Sequence, residues 1–370
     1  MVVCLLIAGI AAGGPPATAA SQGDTVPAMG ETVDCTFPVS VEDATGTTVT
    51  VDQEPQRVVV LAPSAAQTMW EIGAAEKVVG MPVNAYTSYL NGSESRENVV
   101  VSTGKPKPEV IVGLQPDIVL APNLVDNETV ESLRDKGLTV YRYRPSGTLE
   151  DVYAKTERTG LLVGEYEQAA RVSAQMEGEV DAIERAVEGE DRPRVYYAMS
   201  GGYTAGPGSF IHEIITTAGG HNIAAEANIT FYEAISTEVI AEQDPEYIVV
   251  TEDVPLPDNA AVQNSTAVQE DQVITVDSNY ISQPGPRNTV TLATLAQAFH
   301  PEATANVDFD AVETPTPSSC SMQTTADGSV ATQAVTTDST PTTAVGGPGF
   351  GVSVALAAVL GAALLVGRRS

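Results

Sequence analysis

The chain has 370 residues, with 48 acidic against 18 basic side chains and a formal net charge of -30. Such a surface repels phosphate backbones, which excludes nucleic acid as a partner. Self-repulsion on this scale is tolerated where molar salt screens charges within about 3 Å, so the composition points to a halophilic, archaeal source.

Met1 to Ile10 is apolar and is followed by Ala17-Thr-Ala-Ala20. That is the core and small-residue cleavage site of a signal peptide over residues 1–20, which would carry Cys4 away with it. Residues 21–52 read as a linker and an N-terminal hairpin, its strands alternating between Thr36 and Val51 about a turn at Asp43-Ala-Thr-Gly46. An α/β lobe is expected over 53–147. Arg57-Val-Val-Val-Leu-Ala is a buried strand, and Ser64 is placed to cap a helix from Ala65 to Ile72 that Gly73 closes. Strands at Val78-Val-Gly, Val119-Leu and Thr139-Val-Tyr follow, with a helix from Val130 to Lys136 between the last two.

Residues 148–190 contain no proline, and Ala169, Val172, Met176, Val180 and Ile183 recur at helical spacing. This is an inter-lobe connector, either one long helix or two broken near Gly160 to Gly164. It is stiff enough to keep lobe motion small. A second α/β lobe is expected over 191–302, opening at Arg194-Val-Tyr-Tyr-Ala-Met, with a helix from Ser209 to Ala218, a strand at Val273-Ile-Thr-Val-Asp and a last helix from Thr289 to Phe299. The stretch 303–347 is rich in Thr, Ser and Pro and cannot bury a core, so it reads as a disordered, O-glycosylated stalk. In 348–370 an apolar run between Pro348-Gly-Phe350 and Arg368-Arg369 would reach about 25 Å as a helix, a short membrane anchor with the body outside the cell. Asn91, Asn127, Asn228 and Asn264 head Asn-X-Ser/Thr sequons. Cys35 and Cys320 flank the folded region, and oxidation to a bridge or retention as two free thiols are both open.

One pattern occurs twice. Glu109-Val-Ile-Val-Gly-Leu-Gln-Pro-Asp-Ile-Val-Leu120 recurs as Glu238-Val-Ile-Ala-Glu-Gln-Asp-Pro-Glu-Tyr-Ile-Val-Val250. Each copy reads as a short helix, a stop at Pro116 or Pro245, and a buried strand of a parallel sheet. Two copies one lobe apart imply two similar lobes, and two lobes enclose a cleft where a ligand would bind.

The blocks Arg57-Val-Val-Val-Leu-Ala-Pro-Ser-Ala-Ala-Gln-Thr-Met-Trp-Glu-Ile-Gly-Ala, Gln115-Pro-Asp-Ile-Val-Leu-Ala, Tyr203-Thr-Ala-Gly-Pro-Gly-Ser-Phe-Ile, Ala218-Gly-Gly-His-Asn-Ile-Ala and Gly285-Pro-Arg287 keep one order from Gln53 to Pro301. In them the chain resembles the solute-binding proteins of vitamin B12 and iron-siderophore ABC importers. The tail from Pro348 resembles an archaeal PGF-type C-terminal sorting signal. The resemblance implies an α/β fold of two Rossmann-like lobes joined by a single long helix. It implies a monomer that holds a cobalamin-type (corrinoid) ligand, or a ferric siderophore or haem, and passes it to a permease served by a separate ATPase. It also implies permease docking through Glu109 and Glu238, and ligand contacts at Tyr86, Gly104, Lys105, Tyr203, Tyr232, Asn279, Tyr280 and Arg287. The B12-binding type carries tryptophan in its cleft, whereas this chain has only Trp70, on the first helix. Arg287 is alternatively structural, and each glutamate alternatively a helix N-terminal charge.

No catalytic machinery is legible. There is no Gly-x-Gly-x-x-Gly after a strand, no phosphate loop and no acid-His-nucleophile set. His212, His221 and His300 all fall in the second half, which does not suit a bare-metal site drawn from both lobes. The chain is read as a binding protein without a resident cofactor or metal.

Overall fold

The computed structural model describes residues 32–309 and 311–321. The signal peptide, most of the stalk and the C-terminal anchor read from the sequence lie outside them. The first lobe runs through β1 (Thr32–Asp34), the hairpin β2 (Val39–Glu42) and β3 (Thr48–Val51), β4 (Val58–Val60), α1 (Pro63–Glu71), β5 (Val78–Met81), β6 (Glu97–Asn98), α2 (Pro108–Gly113), β7 (Ile118–Ala121), α3 (Asn127–Asp135) and β8 (Val140–Arg142). The connector is α4 (Leu149–Val163) and α5 (Tyr166–Val187). The second lobe begins with β9 (Arg194–Tyr197), β10 (Tyr203–Ala205), α6 (Phe210–Thr217), β11 (His221–Asn222), α7 (Ile223–Glu226) and β12 (Tyr232–Ala234). It continues through α8 (Thr237–Gln243), β13 (Tyr247–Thr251), α9 (Ala260–Gln263), α10 (Thr266–Gln269), β14 (Val273–Val276), α11 (Ser278–Ser282) and α12 (Asn288–Phe299), and α13 (Pro301–Thr304) and β15 (Ser319–Ser321) close it.

Each lobe is built on a parallel sheet. Strand order is β6-β5-β4-β7-β8 in the first and β11-β9-β13-β14 in the second. Superposing the orders pairs β4 with β9 and β7 with β13, so the doubled sequence pattern becomes a doubled α–β unit. The likeness reaches single residues. Gln115 and Asp244, each just before its proline, both have positive φ, 48° and 41°. Helices alternating with the parallel strands cover both faces, which is why β4 and β7 can be buried end to end.

The connector divides at Gly164, which ends α4 in the left-handed conformation (φ 81°). Thr148 and Asp151 start α4 with a reciprocal capping box. At Gly160 the two helices cross so closely that a Cβ would sit 2.3 Å from that of Ala169. The long helix α5 has 22 residues, about 33 Å, and belongs to both lobes. Ala169 lies in the first-lobe core, Met176, Val180 and Ile183 lie in the second-lobe core, and Val172 packs against both. That shared burial makes it a strut rather than a tether.

One local expectation changes and one open alternative is settled. Ser64 is not the cap of α1: the helix begins at Pro63, its N-cap is Ala62 without a side-chain bond, and Ser64 lies in the first turn. Proline presets the φ that this turn needs, so the helix starts two residues early. At the two ends of the described body Cys35 and Cys320 form a disulfide (Cα–Cα 5.5 Å), and beside it β1 pairs with β15 in parallel.

Candidate functional site

The C-terminal ends of the strands of both lobes open onto one cavity of about 800 Å³. The residues that follow β4, β7 and β8 line one side, and those that follow β9 and β13 line the other. This is the crevice where parallel α/β sheets bind ligands, because loops there are free of ladder bonds. Three of the expected contacts lie on it: Tyr86 from the first lobe and Tyr203 and Tyr232 from the second, all exposed. Tyr203 and Tyr232 sit on the antiparallel pair β10–β12, a small flap beside the main sheet. Burial nevertheless pushes the Tyr232 phenol up, so it stays a neutral donor.

Gly104 and Lys105 are not brought to this cavity. They form a tight exposed turn in which the Val101 N–H donates to the Lys105 carbonyl (2.9 Å). Asn279, Tyr280 and Arg287 do not line it either; they belong to a clamp between the lobes. The Arg287 Nε donates to Glu71 Oε1 on α1 at 2.6 Å, and its backbone N–H donates to Gln67 Oε1 at 3.0 Å. The guanidinium lies 5.2 Å from the Tyr89 ring centroid and 5.6 Å from that of Tyr280. The Tyr89 hydroxyl donates to Gln283 Oε1 (3.1 Å), Gln283 Nε2 donates to the Tyr86 carbonyl (2.9 Å), and the Asn279 side chain accepts from the same amide (3.0 Å). Burial disfavours the Arg287 charge, but the Glu71 carboxylate outweighs it and the guanidinium pKa is raised. Arg287 therefore makes its ion pair across the lobes, on Glu71, and also donates to the Tyr280 hydroxyl within the second lobe (3.1 Å).

Three cavity residues were not singled out from sequence. Leu124, in the loop after β7, is 87% exposed, and Phe231, before β12, is 63% exposed. Large apolar side chains left open on facing lobes mark a surface that something covers. Phe231 also has φ 52°, unusual for a bulky residue and costing of order 1–3 kcal/mol. Its N–H donates to the Pro207 carbonyl (2.9 Å) and its carbonyl accepts from the Gly206 N–H (2.8 Å), which hold the ring over Gly208. The strain is thus fixed in place at the cavity wall. Lys155, from α4, is the third; its Nζ donates to Ser64 Oγ (3.0 Å) and to the Pro284 carbonyl (2.8 Å), touching both lobes.

Glu109 and Glu238 lie exposed in the first turns of α2 and α8. The two therefore occupy matched places, at the N-termini of the helices that precede β7 and β13. Trp70 is away from the cavity, packed against the first-lobe core with its indole N–H on the Asn91 carbonyl (2.9 Å). Among the described residues no cluster of His, Cys, Asp or Glu is built to hold a metal, and no helix is long and apolar enough to cross a membrane. The histidines are used locally: His221 faces Glu226 at 3.2 Å, His212 meets Asn222, and His300 meets the Gly219 carbonyl.

Residues 58–280 match the family model for periplasmic binding proteins, and 347–369 match that of the PGF-CTERM motif. A cobalamin-binding protein of Halobacterium salinarum is 45% identical over 281 residues, 72% of this chain and 75% of that protein. Among solved structures, the periplasmic vitamin B12-binding protein of Vibrio cholerae aligns with TM-score 0.58 at 22% identity, covering 66% of this chain and 97% of that one. A periplasmic haem-binding protein of a Roseiflexus species aligns with TM-score 0.59 at 22% identity, covering 67% and 99%. These alignments carry the fold: two lobes about a helical backbone.

Proposed function

The chain belongs to the periplasmic binding protein family, and we propose that it is the extracellular receptor of an ABC importer for a cobalamin-type ligand. The observation that carries this is the wide inter-lobe cavity with apolar and aromatic side chains open on both walls. It suits a guest that is bulky and apolar-faced, with polar groups at its rim. The 45% identical relative, named for cobalamin binding, supports the corrinoid over other chelates. The role is capture and delivery, with no bond made or broken; the ATPase would be a separate subunit. Tyr86, Tyr203, Tyr232, Leu124 and Phe231 would meet the ligand. Glu109 and Glu238, repeated by the lobe duplication, would each meet a cation on one half of a two-fold permease. The PGF-CTERM match supports anchoring at the cell surface, and the folded body would act outside as a monomer.

Equilibrium dialysis in molar salt tests the ligand. One cyanocobalamin per chain, not displaced by haem or a ferric hydroxamate, is expected. Retention of either iron chelate with no retention of cobalamin would replace the corrinoid by that ligand.

A further inference from the structure

Adjoining the main cavity, and sharing Asn123, residues 143–147 and Lys155 with it, lies a second, partly open chamber of about 640 Å³. Its walls hold Arg142, Arg144, Lys155 and Arg158. In a chain with only 18 basic residues against 48 acidic ones this is a marked concentration of positive charge. Asp151 is the acid among its described lining residues, and its carboxylate is occupied by the Gly147 and Thr148 N–H groups (2.8 and 3.1 Å). Arg144 leans on Glu42 at 3.5 Å. The Arg142 backbone N–H donates to Asp43 Oδ2 (3.1 Å), but neither its guanidinium nor the Lys155 ammonium pairs with a carboxylate among the described residues. The guanidinium of Arg142 donates to the Val125 and Asn123 carbonyls (2.9 and 2.6 Å), and the ammonium of Lys155 to Ser64 Oγ and the Pro284 carbonyl.

The Lys155 ammonium also lies 5.7 Å from the Tyr143 ring centroid, and a partly buried cation held by neutral oxygens and a ring face still lacks a counter-charge. Surface charges would be screened in the molar salt to which the acidic composition is suited, whereas the half-buried Arg142, Lys155 and Arg158 are screened less. We propose that this chamber is an anion subsite for a phosphate-type group, with Lys155 as its contact residue at the border of the main cavity. The phosphate could be the phosphodiester arm of the bound corrinoid or free phosphate entering beside it. The first of these rests on the corrinoid reading; the second does not. Lys155 has three donors and uses two, which leaves one for the anion. Burial lowers the Lys155 pKa to about 7, and an anion held beside it would raise it again.

The test uses cyanocobalamin, which carries the phosphodiester, and cobinamide, which lacks it, against wild type and Lys155→Met in molar potassium chloride. Wild type should bind cyanocobalamin at least tenfold more tightly, and Lys155→Met should lose most of that preference while keeping its cobinamide affinity. An unchanged preference in Lys155→Met would overturn the corrinoid-arm form. Inorganic phosphate, titrated while the Lys155 side-chain resonance is followed by NMR, reads the chamber without a corrinoid. A saturable shift that raises the titration midpoint of Lys155 supports the subsite, and no shift overturns free-phosphate binding. If neither corrinoid binds, the corrinoid reading has failed and the phosphate titration decides alone.

Discussion

Arg57 and Arg194 do the same work in the two lobes. Each stands at the start of a central strand and closes the end of the helix in the repeated unit. Arg57 Nε donates to the Leu114 and Gln115 carbonyls (3.0 and 3.3 Å), and Arg194 Nε to those of Gln243 and Asp244 (2.7 and 3.1 Å). The acid after each proline returns the bond: Asp117 accepts the Arg57 N–H at 2.8 Å and Glu246 the Arg194 N–H at 2.9 Å. The duplication that sets Glu109 and Glu238 at matched places is therefore locked at its base, independently of any partner.

Matched placement predicts separable roles. Glu109→Ala with Glu238→Ala should leave ligand affinity near wild type and abolish uptake in cells, and each single variant should retain part of it. Uptake equal to wild type in the double variant would refute docking through these residues.

Phe231 offers a test that splits binding from folding. Its positive φ suits glycine, so Phe231→Gly should hold or raise Tm while ligand affinity falls about tenfold through loss of the ring. A lower Tm with unchanged affinity would make the ring structural instead.

The inter-lobe clamp should contribute measurably to stability. Glu71→Gln or Arg287→Met should cost roughly 1–3 kcal/mol by denaturant titration, with a double-mutant cycle showing coupling of similar sign. Additive losses would mean that the two side chains act apart.

The pH dependence of Lys155 has a defined sign. Burial lowers its pKa from 10.5 to about 7, so between these values the unfolded chain holds a proton that the folded chain has shed. Stability from this site therefore rises as pH climbs from about 7 towards 10.5 and is lost as pH falls back. The other ionisable groups of the chamber are Arg142, Arg144, Arg158, Asp151, Tyr141 and Tyr143. Burial raises Tyr143 above the usual phenol range, so it stays neutral throughout this window. Denaturation of wild type and Lys155→Met across this range should show the slope in wild type only; parallel curves would contradict it.

Much of this architecture could be read from residue order. The doubled Glu-Val-Ile to Pro pattern gave the two α–β units, because helix stop and buried strand are local properties. The apolar spacing from Ala169 to Ile183 likewise gave α5. The cleft was harder. Tyr86 lies in a loop and Tyr203 opens the three-residue strand β10, both too short of regular pattern for a periodicity to operate, and their placement came from the resemblance alone. Arg287 and Tyr280 were indistinguishable by type from ligand contacts, since a clamp and a binding wall both use aromatic and cationic side chains. Phe231 and Leu124 had no signal: their exposure is set by loops that meet only after the lobes fold against α5. Lys155 sits within a regular helical stretch, and its enclosure depends on Ser64 and Pro284, 91 and 129 residues away.

The most direct measurement is the position of cobalt in a crystal of the folded body with cyanocobalamin, located by its anomalous scattering. It should lie in the main cavity, between the walls that carry Leu124 and Phe231. Cobalt bound elsewhere, or a cavity that remains free of it at saturating ligand, would contradict corrinoid capture between the lobes.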